Sequence, residues 1–139
     1  MHVSLNVVLA EDDKDYQDIF NNALEEVNIP TTLTVVSDGY ELMKTLRSPD
    51  APNYNIVILD INMPKKNGIE CLKEIRKDQT LSNTYSVILT SSQDPIIKES
   101  AYQAGANLFL TKPINFNEYV ETVRTILTSD WRMNLPIFF

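Results

Sequence analysis

The sequence has a single cysteine, no long apolar run and comparatively few basic residues. Cys71 has no partner for an internal disulfide, and its place in a predicted amphipathic helix favours a packed, small apolar residue over a nucleophile. No apolar run reaches the about 18 residues of a transmembrane helix, and the amino terminus lacks the charged-then-apolar pattern of a signal peptide. These absences predict a soluble, cytoplasmic protein without membrane contact.

Charge and size narrow the possible classes further. The 139 residues include 12 Lys and Arg against 19 Asp and Glu, which gives a formal net charge of −7. This composition argues against direct nucleic-acid binding, because phosphate contacts require clustered Lys and Arg and the basic residues here are scattered. With 43% hydrophobic residues, the chain has the length and apolar content of one ordinary domain.

Strand-like and helix-like patterns alternate along the chain, which is typical of an α/β domain built on a parallel sheet. Residues 56–59 form the most apolar run and predict a central strand that is buried on both faces. Asn115 and Glu118 resemble a capping box at the start of the last helix. The predicted strands are residues 6–10, 32–36, 56–59, 86–89 and 108–110, and the predicted helices are residues 16–27, 39–47, 68–77, 95–104 and 116–127.

Polar residues follow the predicted strands. In an open parallel α/β sheet, ligands bind at the carboxyl ends of the strands, because the crossover helices cover both faces. Four strands therefore deliver acidic, hydroxyl and ammonium groups to one edge of the sheet. These residues are Glu11, Asp12 and Asp13 after the first strand, Asp60 after the third, Thr90, Ser91 and Ser92 after the fourth, and Lys112 and Pro113 after the fifth.

The carboxylates of Glu11, Asp12 and Asp60 would crowd negative charge into a small space. Each pair at about 4 Å repels by roughly 4 kcal/mol at an effective dielectric near 20. Since Lys112 offsets one charge, either a carboxylate stays protonated or a divalent cation binds. Oxygen ligands favour Mg²⁺, which commonly completes its shell with phosphate oxygens. The pattern therefore indicates phosphoryl transfer to an aspartate oxygen, with Lys112 and Thr90 stabilising the equatorial oxygens.

Each of these residues also has an ordinary structural explanation when it is taken alone. An acidic pair after a strand is commonly a helix cap, which is the interpretation we favour for Asp13. Asp60 could be a turn residue, Thr90 part of a loop, and Lys112 a solvated charge. Their joint occurrence at the correct ends of alternating strands is what favours a functional site.

Four segments in order, "VVLAEDD", "IVILDINMPKKNG", "VILTSS" and "LFLTKP", resemble the receiver domains of two-component response regulators. The resemblance covers residues 6–127. The single-domain chemotaxis regulator is an example of the receiver domains that the chain resembles. The resemblance implies a flavodoxin-like, doubly wound (βα)5 fold with five parallel strands in the order 2-1-3-4-5. On this basis residues 1–127 are expected to form the receiver, and residues 128–139 an apolar tail without a separate effector domain.

The resemblance also implies roles for individual residues. Asp60 is expected to accept a phosphoryl group from a sensor histidine kinase or a phosphotransfer protein. Asp12 is implied as a direct Mg²⁺ ligand, Glu11 as a ligand through water, and Asn62 as a ligand through its backbone carbonyl. Lys112 matches the phosphate-sensing lysine, and its peptide bond to Pro113 is expected to be cis.

A conformational switch is implied by the same resemblance. Thr90 matches the hydroxyl residue that is drawn toward the phosphoryl oxygens, and Phe109 matches the aromatic residue that rotates inward behind it. The two would bias a surface formed by the fourth helix, the fifth strand and the fifth helix. Phe109 lacks the tyrosine hydroxyl found in many relatives, and its sequence position is equally typical of a plain core residue.

Three functions compete at this stage. The first is a phosphorylated receiver switch, and the second is a receiver-like module that binds proteins without being phosphorylated. The third is a haloacid-dehalogenase-type phosphatase, but that chemistry needs a second aspartate where this chain has Asn62. Output is expected through contact with an unidentified protein, onward phosphotransfer or a change between monomer and weak homodimer. The tail "WRMNLPIFF" is expected to pack on its own domain rather than on a neighbour.

Overall fold

Five strands alternate with five α-helices in the computed structural model, which describes residues 4–134. This is the predicted α/β alternation, with element ends shifted by one or two residues. The strands are β1 (Leu5–Ala10), β2 (Thr31–Val36), β3 (Ile56–Leu59), β4 (Ser86–Thr90) and β5 (Leu108–Thr111). The helices are α1 (Lys14–Val27), α2 (Gly39–Leu46), α3 (Gly68–Lys77), α4 (Pro95–Ala104) and α5 (Phe116–Leu127), followed by a short 3₁₀ helix, Asp130–Asn134.

The sheet is parallel throughout and has the order β2-β1-β3-β4-β5. This confirms the flavodoxin-like order and the prediction that residues 56–59 lie in the middle. All four residues of β3 are buried. Leu59 pairs with Ala10 on one side and Ile88 on the other, so β1 and β3 end at the same level and β4 continues to Thr90, two residues further. The residues that follow these strands are therefore neighbours.

The strands bury alternate residues on opposite faces of the sheet, as the pleat requires. Val57 and Leu59 pack in the core layer beneath α2, α3 and α4, whereas Ile56 and Ile58 pack in the layer beneath α1 and α5. The sheet is thus covered by helices on both faces, and only the loops at the strand ends are free to form a site. Among residues 4–134, no helix combines the length and apolarity needed to cross a membrane.

Side-chain caps fix where the helices near the site begin. Asp13 accepts the Asp15 N–H at 2.8 Å at the start of α1, as the sequence predicted. Asn115 accepts the Glu118 N–H at 2.8 Å, which is one half of the predicted capping box. A complete box forms instead at α3, where Asn67 and Glu70 bond each other's backbone N–H groups.

The single cysteine is a core residue. Cys71 is buried, as predicted, and burial raises the pKa of its thiol to about 12, so it packs rather than reacts.

The segment after α5 packs on the domain through Trp131. Trp131 packs against the core layer of α1 and α5, and its indole N–H donates to the Leu127 carbonyl at 3.0 Å. Residues 135–139 of the predicted tail lie outside the described residues.

Candidate functional site

Four strand ends bring buried polar side chains together at the carboxyl edge of the sheet. Glu11 follows β1, Asp60 follows β3, Thr90 ends β4, and Lys112 follows β5. Their exposed fractions are 2%, 6%, 0% and 8%. Ionisable side chains are rarely buried to this extent unless they are paired.

The Lys112 ammonium joins the two buried carboxylates. Its Nζ donates to Oε1 of Glu11 at 2.5 Å and to Oδ2 of Asp60 at 2.7 Å. The Lys112 backbone N–H also donates to the Thr90 carbonyl at 2.7 Å, which ties the end of β5 to the end of β4. The structure therefore brings together Glu11, Asp60, Thr90 and Lys112, as the sequence predicted.

Burial and charge act in opposite directions on this ion pair. Burial raises the pKa of Glu11, and the hydrogen bond and positive charge of Lys112 offset only part of that rise. For Lys112, burial alone would lower the pKa, but its hydrogen bonds to Asp60 and Glu11 outweigh burial and raise it. The lysine is thus held charged between two carboxyl groups, and the formal charges of the three groups sum to −1.

Glu11, Asp12 and Asp60 form a group of carboxylates that could hold a metal ion. One oxygen from each lies within 4.8 Å of the others, and Asp12 is exposed while the other two are buried. An oxygen-only set with one open side suits a hard divalent cation. Asn62 lies in the loop after β3, where its N–H donates to Oδ1 of Asp60 at 3.3 Å. The role of its carbonyl as a ligand is still a prediction.

The Thr90 hydroxyl is a buried polar group with no hydrogen-bond partner among the described residues. Such groups are uncommon, because an unpaired buried hydroxyl costs about 1–3 kcal/mol. Thr90 is also the last residue of β4 rather than the first of a loop, since it pairs with Thr111 in the sheet. The strand therefore fixes the position of an oxygen that has capacity for a further hydrogen bond.

The sequence matches the response regulator receiver domain family over residues 7–124. The chain belongs to this family. It is 30% identical to the response regulator Rcp1 of Synechocystis sp. over 124 residues, which cover 86% of this chain and 84% of Rcp1. It is 32% identical to the transcriptional regulatory protein CpxR homolog of Haemophilus influenzae over 121 residues. That match covers 87% of this chain, but the chain spans only about half, 49%, of the CpxR homolog.

Solved receiver structures share the fold of this receiver domain. The phosphorylated cyanobacterial phytochrome response regulator RcpA has a TM-score of 0.83 at 29% identity, over 91% of this chain and 96% of RcpA. The Mn²⁺-bound form of Rcp1 has a TM-score of 0.79 at 29% identity, over 88% of this chain and 91% of Rcp1. Receiver domains are signalling switches of two-component systems rather than conventional enzymes.

The structure contradicts one expectation about this receiver domain and leaves part of another untested. The expected cis bond between Lys112 and Pro113 is wrong, because every peptide bond in the described residues is trans. Trans is the more stable form of such bonds by about 0.5–1 kcal/mol, and Lys112 reaches both carboxylates from it. Phe109 is buried against the layer of α2, α3 and α4. The structure thus shows an inward ring, and its rotation is still a prediction.

Sequence reasoning missed two residues of the receiver site. Gly68 begins α3 directly behind Asp60, where a Cβ would lie 2.4 Å from the Asp60 carbonyl oxygen. A glycine is therefore needed for this close approach, and a glycine at the first position of a predicted helix is the available signal. Tyr16 lies on α1 with its ring 3.8 Å from Nζ of Lys112. Sequence spacing gives no signal for that contact.

Proposed function

We propose that this receiver domain accepts a phosphoryl group on Asp60 in a Mg²⁺-dependent reaction and thereby switches a protein-binding surface. The observation that carries the proposal is the position of Asp60 beside a buried ammonium, with a buried, unpartnered hydroxyl at the end of the neighbouring strand β4. Lys112 already bonds the Asp60 carboxylate at 2.7 Å, and the Thr90 oxygen has no partner in the described residues. Both groups suit the oxygens of a phosphoryl group on Asp60.

The proposed chemistry is a nucleophilic displacement at phosphorus. An Asp60 oxygen forms the new bond to phosphorus while the bond from phosphorus to the donor's histidine nitrogen breaks, and the proton needed by the leaving imidazole comes from the donor side. Lys112 transfers one of its hydrogen bonds from the Asp60 carboxylate to a phosphoryl oxygen, and the Thr90 hydroxyl donates to another. Attack by water on phosphorus later breaks the bond between phosphorus and the Asp60 oxygen, which releases inorganic phosphate and returns the free carboxylate.

The carboxylates of Glu11, Asp12 and Asp60 and the carbonyl of Asn62 would hold the Mg²⁺, which offsets negative charge on the phosphoryl oxygens. Charge balance supports this assignment. Glu11, Asp60 and Lys112 keep one net negative charge, and Asp12 adds a second. A phosphoryl group would add more negative charge to the same few ångströms, which Lys112 alone cannot offset.

The donor is proposed to be a sensor histidine kinase or a phosphotransfer protein. Among the similar solved structures is a response regulator in red light signaling of R. palustris, with a TM-score of 0.80 at 30% identity, besides the phytochrome regulator RcpA. A kinase of the phytochrome type is therefore the first donor to test. The output is proposed to be a protein contact made by α4, β5 and α5, near the Thr90 and Phe109 side chains.

Incubation with acetyl phosphate and Mg²⁺, followed by intact mass measurement, tests the acceptor. We expect the mass of one phosphoryl group on the wild type and none on D60N. D50N is the matched control, since Asp50 is an exposed aspartate in the loop before β3 and should leave labelling unchanged. EDTA should abolish labelling of both the wild type and D50N.

The outcomes separate the competing functions. A wild-type protein that gains no phosphoryl mass would be a passive protein-binding module. Steady turnover of phosphomonoesters would indicate a phosphatase instead of a switch. Labelling of D60N at the wild-type rate would move the acceptor to another residue and overturn the proposal.

A further inference from the structure

The Lys112 ammonium is enclosed by two carboxylates and an aromatic ring. Its Nζ lies 2.5 Å from Oε1 of Glu11, 2.7 Å from Oδ2 of Asp60 and 3.8 Å from the centroid of the Tyr16 ring. A cation within about 6 Å of a ring centroid is attracted by the negative face of the ring. The ring face therefore adds a third favourable contact to an ammonium that two carboxylates already bind.

The orientation of the Tyr16 ring is fixed independently of the lysine. The ring stacks on Tyr119, with centroids 6.4 Å apart and planes inclined by 23°. Phe20 in turn packs edge-on against Tyr119, with centroids 6.5 Å apart. Both Tyr119 and Phe20 are buried, and Asp13 caps the turn of α1 that carries Tyr16. The ring is thus held by the core layer of α1 and α5 and presents a fixed face to the ammonium.

A groove of 410 Å³ lies beside this contact, between the start of α1 and the segment that joins β5 to α5. Tyr16 lines the groove together with Pro113, and so do the acidic residues Asp13 and Asp15. Both acidic residues are exposed. If the ring were absent, the ammonium could reach an open space with two further carboxylates, which would compete with Asp60 for the same cation.

We propose that Tyr16 is a positioning residue for phosphoryl acceptance, whose ring face holds the Lys112 ammonium against Glu11 and Asp60. This inference rests on the proposed function, since Lys112 must stand beside Asp60 when the phosphoryl group arrives. The ring contributes through its charge distribution and its placement, and its hydroxyl is not required. Tyr16 itself does not touch the reacting atoms.

Fluorinated phenylalanines at position 16 separate the ring's charge distribution from its shape. Y16F should label with acetyl phosphate and Mg²⁺ within about twofold of the wild-type rate, because a phenyl ring keeps a negative face. Mono-, di- and trifluorophenylalanine should slow labelling in that order, and Y16L should slow it about 2- to 30-fold, the range of a cation–π contribution of about 0.5–2 kcal/mol. Y40L is the matched control, because the Tyr40 ring centroid lies 5.3 Å from the ammonium of Lys66, which pairs with Glu74.

A second measurement uses the metal-free protein. The Lys112 side-chain proton resonances should be shifted upfield by the ring current in the wild type and Y16F, and should move downfield in Y16L. Labelling rates that stay constant across the fluorinated series would overturn the inference, as would equal losses in Y16F and Y16L. If the wild type gains no phosphoryl group, the proposed function fails while the resonances still decide whether Tyr16 holds Lys112. Unchanged Lys112 resonances in Y16L would then refute the positioning role.

Discussion

Replacing Lys112 by methionine tests whether the ammonium and a divalent cation balance the same carboxylates. Methionine keeps an unbranched, flexible side chain of similar length but removes the charge. Glu11 and Asp60 then remain buried without their common partner, with oxygens of the acidic group within 4.8 Å of one another. At that distance two charges repel by about 3 to 4 kcal/mol at an effective dielectric near 20.

Protonation sets an upper limit on this penalty. Binding a proton to a glutamate of ordinary pKa costs about 4 kcal/mol at pH 7 and about 1 kcal/mol at pH 5. K112M without metal should therefore lose about 3 to 4 kcal/mol of unfolding free energy at pH 7 and about 1 kcal/mol at pH 5. The sign follows from Glu11, whose pKa is raised by burial and would rise further without Lys112. Such a group stabilises the fold below its unfolded pKa, and that stability is lost as pH rises through the folded pKa.

Urea denaturation at both pH values, with EDTA or with Mg²⁺, measures these terms. Mg²⁺ should stabilise K112M more than the wild type, because the ion no longer competes with an ammonium for the carboxylates. K66M is the control, since Lys66 pairs with Glu74 on the surface. The unfolding free energy of K66M should fall by less than about 1 kcal/mol, independently of Mg²⁺. Equal Mg²⁺ responses in K112M and the wild type would refute the idea of a shared charge balance.

Two further predictions concern parts of the fold outside the site. R76M should lower the unfolding free energy, measured by urea denaturation, by about 2–4 kcal/mol, and R76K should not restore it. All five N–H groups of Arg76 donate to acceptors, and an ammonium cannot reproduce that planar arrangement; an R76K midpoint equal to that of the wild type would contradict this. In a pH titration of unfolding free energy, the wild type should lose up to about 1 kcal/mol from Glu74 as pH falls below about 4.5, and E74Q should not show this loss. The hydrogen bond from Lys66, together with Arg47, lowers the pKa of Glu74, so its contribution is present above the unfolded value; coincident titrations would refute the assignment.

Patterns that depend on neighbouring residues were the ones that sequence could predict. The apolar run of β3 identified the central strand because a strand covered on both faces has no polar side. The Asp13 cap was equally local, since its acceptor bonds the backbone two residues further on. The common edge of Glu11, Asp60 and Lys112 followed from the topology of parallel strands and needed no side-chain geometry.

Contacts between distant elements were harder to predict because their partners carry no sequence signal. Arg76 of α3 donates to the carbonyls of Ser82, Thr84 and Gly105, and every residue has such a carbonyl. The contact between the Tyr16 ring and Lys112 depends on how α1 is oriented relative to the end of β5, which local sequence does not determine. The trans bond before Pro113 shows the same limit, since proline permits both isomers and the surrounding fold selects one.

Helix α4, part of the proposed switch surface, is held to the domain by few apolar contacts and by polar contacts at one end. Of its ten residues, Ala101 and Ala104 are buried, so little apolar area holds it to the sheet. Polar contacts hold its carboxyl end instead: the Arg76 guanidinium donates to the Gly105 carbonyl, and the Phe109 N–H donates to the Tyr102 hydroxyl. The amino-terminal half, next to the Thr90 end of β4, is held more loosely, because Ile97 is only partly buried against the core layer and Ile96 is exposed. An element held by few apolar contacts and fixed at one end requires little free energy to shift at the other, which is the property that the proposed switch needs.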